Sequence, residues 1–79
     1  MFYVYVLRSL KNGKHYVGLT SKTPEERLRQ HHSGSSQWSR QNGPLQLIYD
    51  EAFDDKKSAQ RRETFLKSGH GRSYLKSKF

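Results

Sequence analysis

The N-terminal part of the chain alternates between apolar and aromatic positions in a way that predicts two β-strands. Residues 2–7 are a run of β-branched and aromatic side chains, and residues 14–19 form a second short run. Such alternation is typical of half-buried strands. Asn12 and Gly13 lie between the runs, and Asn-Gly favours a type I′ turn, whose two central positions both need a positive φ. The pattern predicts an antiparallel hairpin with a two-residue loop.

The predicted hairpin has one face with phenols and one apolar face. A two-residue loop pairs odd-numbered residues of the first strand with even-numbered residues of the second, so Tyr3 and Tyr5 share a face with Tyr16 and Gly18. Amphipathic packing alone would explain the phenols, but a glycine inside a strand indicates that backbone or a ligand approaches closely. We therefore take the phenol face as a candidate binding surface. The opposite face carries Phe2, Val4, Val6, Val17 and Leu19.

A first helix is predicted to begin after Thr23. Thr23 can cap the helix, Pro24 suits its first turn and Glu26 completes a capping box. The helix should run to about Ser33, with Gly34 as its stop.

The pattern then predicts a polar loop over residues 35–44 and a third strand over 45–53. A second helix is predicted over 56–68, followed by one or two helical turns within 71–79. Asp54 and Asp55 offer a cap for the second helix, and Gly69 should end it.

The first predicted helix places two cationic or titratable side chains toward the sheet. Arg27 and His31 fall with Pro24 and Leu28 on positions i, i+3, i+4 and i+7, the spacing of an inward face. Burying them is costly without anionic or polar partners, and a guanidinium matches phosphate oxygens well. The alternative is that both side chains reach water at the helix edge.

The second predicted helix carries an acid on its apolar stripe. Glu63 lies at i+4 from Ala59, with Arg62 and Leu66 on the same stripe. A carboxylate in that position needs a cation. Either Arg27 or Arg62 supplies it as an ion pair, or a metal such as Mg²⁺ does, since this ion takes few carboxylates together with waters and phosphate oxygens.

Composition and charge narrow the class of function. The chain has 79 residues, a net charge of +8 and no cysteine. It is expected to form one domain, without thiol chemistry or disulfides, and to suit a reducing cytoplasm. Basic residues predominate in both 1–49 and 56–79, while four acids cluster in 50–55. This layout favours a polyanionic partner, most often nucleic acid, over a membrane surface.

Together these residues resemble the GIY-YIG endonuclease superfamily. Tyr3-Val4-Tyr5 and Tyr16-Val17-Gly18 stand where the two signature tripeptides belong, Arg27 and His31 match the helix-borne pair, and Glu63 matches the acid of the later helix. The resemblance extends over nearly the whole chain and is greatest to small stand-alone bacterial proteins akin to the N-terminal nuclease domain of the excinuclease. It implies a single α+β domain over residues 1–79, a three-stranded antiparallel sheet flanked by two to three helices.

The resemblance also implies roles for individual residues. Glu63 would hold Mg²⁺ or Mn²⁺, Arg27 would stabilise the scissile phosphate, and Tyr5 or Tyr16 would act as the base, with His31 orienting that phenol or relaying its proton. A tyrosine needs nearby positive charge to lower its pKa for this task. Residues expected to contact nucleic acid are Gly18, Arg29, Lys67 and Arg72.

The function this predicts is a metal-dependent endonuclease acting on DNA, of low specificity or selective for DNA structure, in repair or recombination. A protein partner could supply specificity. The first alternative is a nucleic-acid-binding module with the same fold and no turnover. The second is a basic accessory protein that docks on a larger complex and uses Arg27, His31 and Glu63 as an internal polar network.

Overall fold

A computed structural model describes residues 1–33 and 37–78. Its elements in chain order are β1 (Phe2–Ser9), β2 (His15–Thr20), α1 (Pro24–His32), α2 (Gln37–Asn42), β3 (Leu45–Phe53), α3 (Lys56–Lys67) and α4 (Gly69–Lys78). The three strands form one antiparallel sheet in the order β2-β1-β3, with β1 in the centre. The predicted fold class is confirmed. None of the described helices is long and apolar enough to cross a membrane.

The hairpin loop differs from the predicted two-residue turn. Ser9 pairs with Lys14 (N···O 2.8 Å), so the loop has four residues and ends at Gly13. Gly13 has a φ of 76°, and no other described residue has a positive φ, which excludes a type I′ turn at Asn12. The buried Ser9 hydroxyl explains the longer loop, because it accepts hydrogen bonds from the backbone of Lys11 (3.2 Å) and Asn12 (3.3 Å).

The longer loop moves the strand register by two residues, which leaves every side chain on its predicted face. Tyr5 pairs with Gly18, and Leu7 pairs with Tyr16. The predicted division into two faces therefore holds.

Each face of the sheet is covered by its own pair of helices and has its own core. On the apolar face, α3 and α4 pack over the buried side chains Val4, Val6, Val17, Ala59, Leu66 and Leu75. On the phenol face, α1 and α2 cover Tyr5, Leu7 and Leu45, with Tyr16, Leu28, Trp38 and Leu47 at the margin. Both faces of this small sheet are therefore buried.

Both helix starts with a predicted cap are confirmed. Thr23 accepts a hydrogen bond from the Glu26 amide (3.3 Å) at the start of α1, and Asp55 accepts one from the Ser58 amide (2.9 Å) at the start of α3. Hydrogen bonding to the Ser58 amide and hydroxyl lowers the pKa of Asp55. Helix α1 ends with Ser33 as its C-cap; Gly34, the predicted stop, lies outside the described residues.

Two of the predicted boundaries are wrong. The stretch expected to be a polar loop contains α2. The second predicted helix, 56–68, corresponds to α3 and ends within one residue of the prediction, but Gly69 is the first residue of α4, which is longer than the one or two turns predicted over 71–79. Ser68 ends α3 in an extended conformation, and α4 follows for ten residues. The described part of the chain thus has four helices, where two to three were predicted.

Gly71 permits the sharp junction between α3 and α4. A Cβ built at this position would overlap the backbone of Phe65 and Leu66, with the Leu66 carbonyl carbon at 2.7 Å. Backbone atoms cannot move aside as a flexible side chain can. The glycine at position 71 is therefore required for α4 to pack on α3.

We expect Gly71→Ala to lower the free energy of unfolding by about 1–3 kcal/mol, the usual cost of overpacking. The matched control is Gly69→Ala, because a Cβ at Gly69 meets nothing within 4 Å and alanine favours helix, so its stability should stay equal or rise by up to about 1 kcal/mol. Urea denaturation of both variants measures the difference. Equal stabilities would contradict the packing role of Gly71.

Candidate active site

Tyr5 stands at the centre of the phenol face. It lies on the central strand, and only 1% of it is exposed. Its ring lies against Gly18 of β2, where a built Cβ would overlap the Cζ and Oη atoms of Tyr5 and lie 2.7 Å from Cε1. The close approach indicated by the strand glycine is thus made by Tyr5. Gly18 is itself buried, which explains the glycine without a bound ligand.

Helix α1 brings Arg27 and His31 to the Tyr5 hydroxyl. The two residues lie one turn apart on the inward face, as the spacing predicts. Arg27 Nε donates to Tyr5 Oη (3.2 Å), and Tyr5 Oη lies 3.2 Å from His31 Nε2. His31 is 1% exposed, so it does not reach water at the helix edge. Arg27 also donates from Nη1 to Gln30 (2.6 Å).

The need to satisfy buried polar groups leads us to assign a tautomer to His31. Arginine has only donors, so the Tyr5 oxygen accepts from Arg27. The buried Tyr5 proton needs an acceptor, and we assign His31 Nε2 to that role. Nε2 is then the unprotonated ring nitrogen. The protonated Nδ1 donates to the hydroxyl of Ser39 on α2. The result is a directional chain from Arg27 through Tyr5 and His31 to Ser39.

Burial controls the protonation of the side chains in this hydrogen-bonded series. It raises the pKa of Tyr5 above its usual value of 10.0, and the hydrogen bond from Arg27 opposes the rise only in part. Burial also lowers the pKa of His31 below 6.5, and the charges of Arg27 and His32 lower it further. Tyr5 is therefore a neutral phenol and His31 a neutral imidazole at pH 7. For Tyr5 the shift is opposite to the one that a tyrosine base needs.

Tyr16 lies beside the hydrogen-bonded series of Arg27, Tyr5, His31 and Ser39 but is not a member of it. Its ring centroid is 6.3 Å from that of Tyr5 and 5.0 Å from that of His31. Within residues 1–33 and 37–78, no group hydrogen bonds to its hydroxyl. The half-buried ring lines a cleft of about 760 Å³. Tyr16 is thus the phenol that a substrate could reach.

Glu63 lies on α3 with 23% of its side chain exposed. Neither Arg27 nor Arg62, the two partners expected from the sequence, forms an ion pair with it. Glu63 forms an ion pair with Lys67, one turn later (3.2 Å). Arg62 instead contacts Glu51 (3.2 Å), and Arg27 is engaged by Tyr5 and Gln30. Burial is the main cause that raises the pKa of Tyr5, and the negative charge of Glu63 makes the smallest contribution in the same direction.

The carboxylate of Glu63 fits a metal bound by a single protein ligand. No group of three or more His, Cys, Asp or Glu side chains in the described ranges could enclose an ion. His31 and His32 are adjacent but have separate partners, since His32 Nε2 lies 3.0 Å from the carbonyl oxygen of Leu45. Mg²⁺ commonly takes one or two carboxylates and completes its shell with waters and substrate phosphates. Such binding requires Lys67, 56% exposed, to release Glu63.

The remaining predicted contact residues lie in different places. Lys67 and Arg72 line the cleft next to Tyr16. Arg29 is exposed on α1 and does not line the cleft. The structure therefore gathers Tyr5, Tyr16, Arg27 and His31 at one point, with Glu63 in electrostatic range and two basic residues beside them.

Two residues of the site, Trp38 and Ser39, were missed because they belong to α2. Ser39 accepts from His31, and Trp38 packs against Tyr16 with ring centroids 5.1 Å apart. A helix of six mostly polar residues has too short a pattern to reveal itself. The one available signal was Trp38, since a tryptophan in a polar stretch needs a surface on which to pack.

Comparison with known families matches residues 1–76 to the GIY-YIG catalytic domain. The chain belongs to this family of nuclease domains. It is 38% identical to a UPF0213 protein of Clostridium perfringens over 68 residues, which cover 85% of this chain and 71% of that protein. A UPF0213 protein of Staphylococcus saprophyticus is 33% identical over 75 residues, covering 94% and 89% of the two chains.

A solved structure has the same fold. The solution NMR structure of a UPF0213 protein from Bacillus halodurans superposes with a TM-score of 0.56 at 34% identity, and the match covers 98% of this chain and 84% of the other. The predicted family is therefore confirmed.

The two tyrosines should respond differently to loss of the hydroxyl. Tyr5→Phe leaves the buried His31 Nε2 and Arg27 Nε without a partner, and we expect the free energy of unfolding to fall by about 1–3 kcal/mol. Tyr16→Phe removes a hydroxyl that no described residue binds and should change stability by less than about 0.5 kcal/mol. Chemical denaturation at pH 7 compares them. A smaller loss for Tyr5→Phe than for Tyr16→Phe would contradict the hydrogen-bonded chain.

Stability should also fall in mild acid. Because the pKa of His31 is lower in the folded than in the unfolded state, the unfolded chain binds more protons below pH 6.5, and protonation favours unfolding. The contribution of neutral His31 to the free energy of unfolding is fully present above pH 6.5 and is lost as the pH falls through the folded-state pKa. Burial lowers the pKa of His15 too.

Denaturation between pH 8 and pH 5 measures this dependence. His31→Gln should flatten the slope, His15→Gln/His31→Gln should flatten it further, and exposed His70→Gln should leave it unchanged. An unaltered slope in His31→Gln would contradict the assignment.

Proposed function

We propose that this chain is a metal-dependent endonuclease that hydrolyses phosphodiester bonds in DNA. The observation that carries the proposal is the convergence of Tyr5, Tyr16, Arg27 and His31 at one point, within electrostatic range of Glu63. Packing alone does not call for so many polar groups on inward helix faces, and clusters of this kind with perturbed pKa values are typical of functional sites.

Tyr16 is the better base and Tyr5 the positioning residue. Tyr5 is buried, protonated and held by two partners. Tyr16 borders the cleft, and its hydroxyl has no partner among the described residues. A phenol acts as a base at neutral pH only beside positive charge, and Lys67 and Arg72 lie on the same cleft. Tyr16 would first lose its hydroxyl proton to solvent. The resulting phenolate oxygen would then take a proton from the attacking water and become the phenol again.

Arg27 is placed to bind the phosphate. Its Nε and Nη1 groups are used by Tyr5 and Gln30, and no described residue accepts from Nη2. A guanidinium with free N–H groups can stabilise the charge that develops on phosphate oxygens as water attacks and the leaving oxygen departs. Tyr5 and His31 keep this guanidinium in position.

Glu63 would hold Mg²⁺ or Mn²⁺, which when bound supplies positive charge to the scissile phosphate. Glu63 must then give up its ion pair with Lys67, and the phosphate becomes the new anionic partner for that lysine. The exchange keeps the charges balanced, because one anion replaces another beside Lys67.

The small domain favours cleavage guided by DNA structure or by a protein partner over cleavage at a defined sequence. Intermediates of DNA repair or recombination in the cytoplasm are substrates of this kind. One observation favours the alternative, a binding module without turnover: the carboxylate of Glu63 already has a cationic partner in Lys67.

Plasmid nicking with Mg²⁺, Mn²⁺ or chelator tests the proposal. We expect nicking with either metal and none with chelator. Glu63→Gln should reduce nicking by at least about a hundredfold, while DNA binding holds or strengthens because a negative charge has been removed. Its stability should change by less than about 0.5 kcal/mol, since a partly exposed i,i+4 ion pair contributes little.

The control is Glu25→Gln, which removes the same charge from the exposed first turn of α1 and should nick at the wild-type rate. Tyr16→Phe should bind DNA and stay folded but lose nicking. Nicking by Glu63→Gln at the wild-type rate would overturn the metal role. Wild-type protein that binds DNA but never nicks it would support the binding module instead.

A further inference from the structure

The cleft beside Tyr16 has a composition that the catalytic roles do not explain. It lies along the outer edge of β2 and is bounded by the hairpin loop, by Trp38 of α2 and by the junction of α3 and α4. It therefore joins the two helical layers of the protein. Its volume of about 760 Å³ is typical of pockets for small ligands and much too small for a duplex.

The lining of the cleft is cationic. Lys14, Lys67, Arg72 and Lys76 contribute to it, and none of the described residues that line it carries a carboxylate. All four side chains are exposed, so they can follow a chain of phosphates without paying the cost of a buried charge. Burial lowers the pKa of His15, which also borders the cleft, so this imidazole adds little charge at pH 7.

Aromatic rings form a second part of the lining. Trp38 and Tyr16 pack together with an interplanar angle of 39°. Trp38 is half-buried, and its indole N–H has no partner in the described part of the chain and is open to solvent. A single-stranded nucleic acid is bound by this combination, in which cations follow the backbone and exposed rings stack with bases. In a duplex the bases are stacked and paired with each other, so they cannot stack on these rings.

We propose that this cleft binds unpaired nucleotides of a DNA strand, with a base stacked on Trp38 and phosphates on Arg72 and Lys76. The inference rests on the proposed function and narrows its substrate to DNA with a single-stranded segment. Tyr16 borders the cleft, and Lys67 joins it to Glu63. A strand bound here would therefore enter the active site directly.

Binding in the presence of chelator tests the inference without cleavage. Trp38 is the only tryptophan, so its fluorescence reports contact with a base. We expect a thymidine oligomer of about ten nucleotides, within the range of known site sizes, to quench this fluorescence to saturation. An abasic oligomer of equal length should bind about five- to a hundredfold more weakly and quench little, and a duplex hairpin with as many phosphates should also quench little.

Variants separate stacking from charge. By anisotropy of a labelled thymidine oligomer, Trp38→Leu should lose affinity to the level of the abasic oligomer, whereas Phe65→Leu, which removes an exposed ring outside the cleft, should not. Arg72→Ala/Lys76→Ala should weaken binding and reduce the log–log salt slope by about 1.4, more than the charge-matched Lys56→Ala/Lys57→Ala. This second pair keeps the test valid if Trp38→Leu fails to fold.

The outcomes are distinct from those of the nicking assay. Equal quenching by abasic and thymidine oligomers, or tighter binding of the duplex, would overturn the inference even if the plasmid is nicked. Tighter binding of a uridine oligomer would overturn the assignment to DNA. Saturable quenching together with an absence of nicking would support the cleft and count against catalysis.

Discussion

The buried hydroxyl of Tyr5 is the group on which the rest of the site depends. A phenol with 1% exposure must have both an acceptor for its proton and a donor to its oxygen. Both partners come from α1, which fixes the position and rotation of that helix on the sheet. Ser39 then completes the hydrogen bonding of His31 and fixes α2 in turn. One hydroxyl thus determines how two helices lie on the phenol face.

The position of the candidate site follows from the two-layered packing. The sheet is covered on both faces, and β2 forms one of its edges. Side chains of the two layers can meet only at such an edge. Arg27 and His31 come from one layer and Glu63 from the other. The cleft is lined by Trp38 of the first layer and by Lys67 of the second. A site of this kind needs both cores to be intact.

The sequence predicted the elements whose hydrophobic pattern is periodic over several residues. Alternation in the first two strands assigned Tyr5 and Gly18 to one face, and that assignment survived a wrong loop length because a shift of two residues preserves the faces. The loop itself depends on the Ser9 hydroxyl, which accepts from the amides of Lys11 and Asn12 and donates to the carbonyl oxygen of Asn42. The contact with Asn42 is tertiary and leaves no pattern in the sequence. Helix α2 is too short and polar to be periodic, and Trp38 and Ser39 were missed with it.

The charged residues were located correctly but not paired correctly. Periodicity placed Arg27, His31 and Glu63 on inward faces, as the structure has them. It could not show that Glu63 contacts Lys67 or that Tyr5 is too deeply buried to ionise readily. Partners and pKa values depend on distances between elements, which no spacing along the chain contains. The roles of the site residues stay predictions.

The contact between Tyr5 and Gly18 means that two positions, thirteen residues apart, change as a unit. A side chain at position 18 is excluded only while an aromatic ring occupies position 5, and a ring fits at position 5 only while position 18 has no Cβ. Each residue restricts the substitutions open to the other. The tyrosine of the first tripeptide and the glycine of the second are therefore one inherited element, which any drift in sequence must keep or replace together.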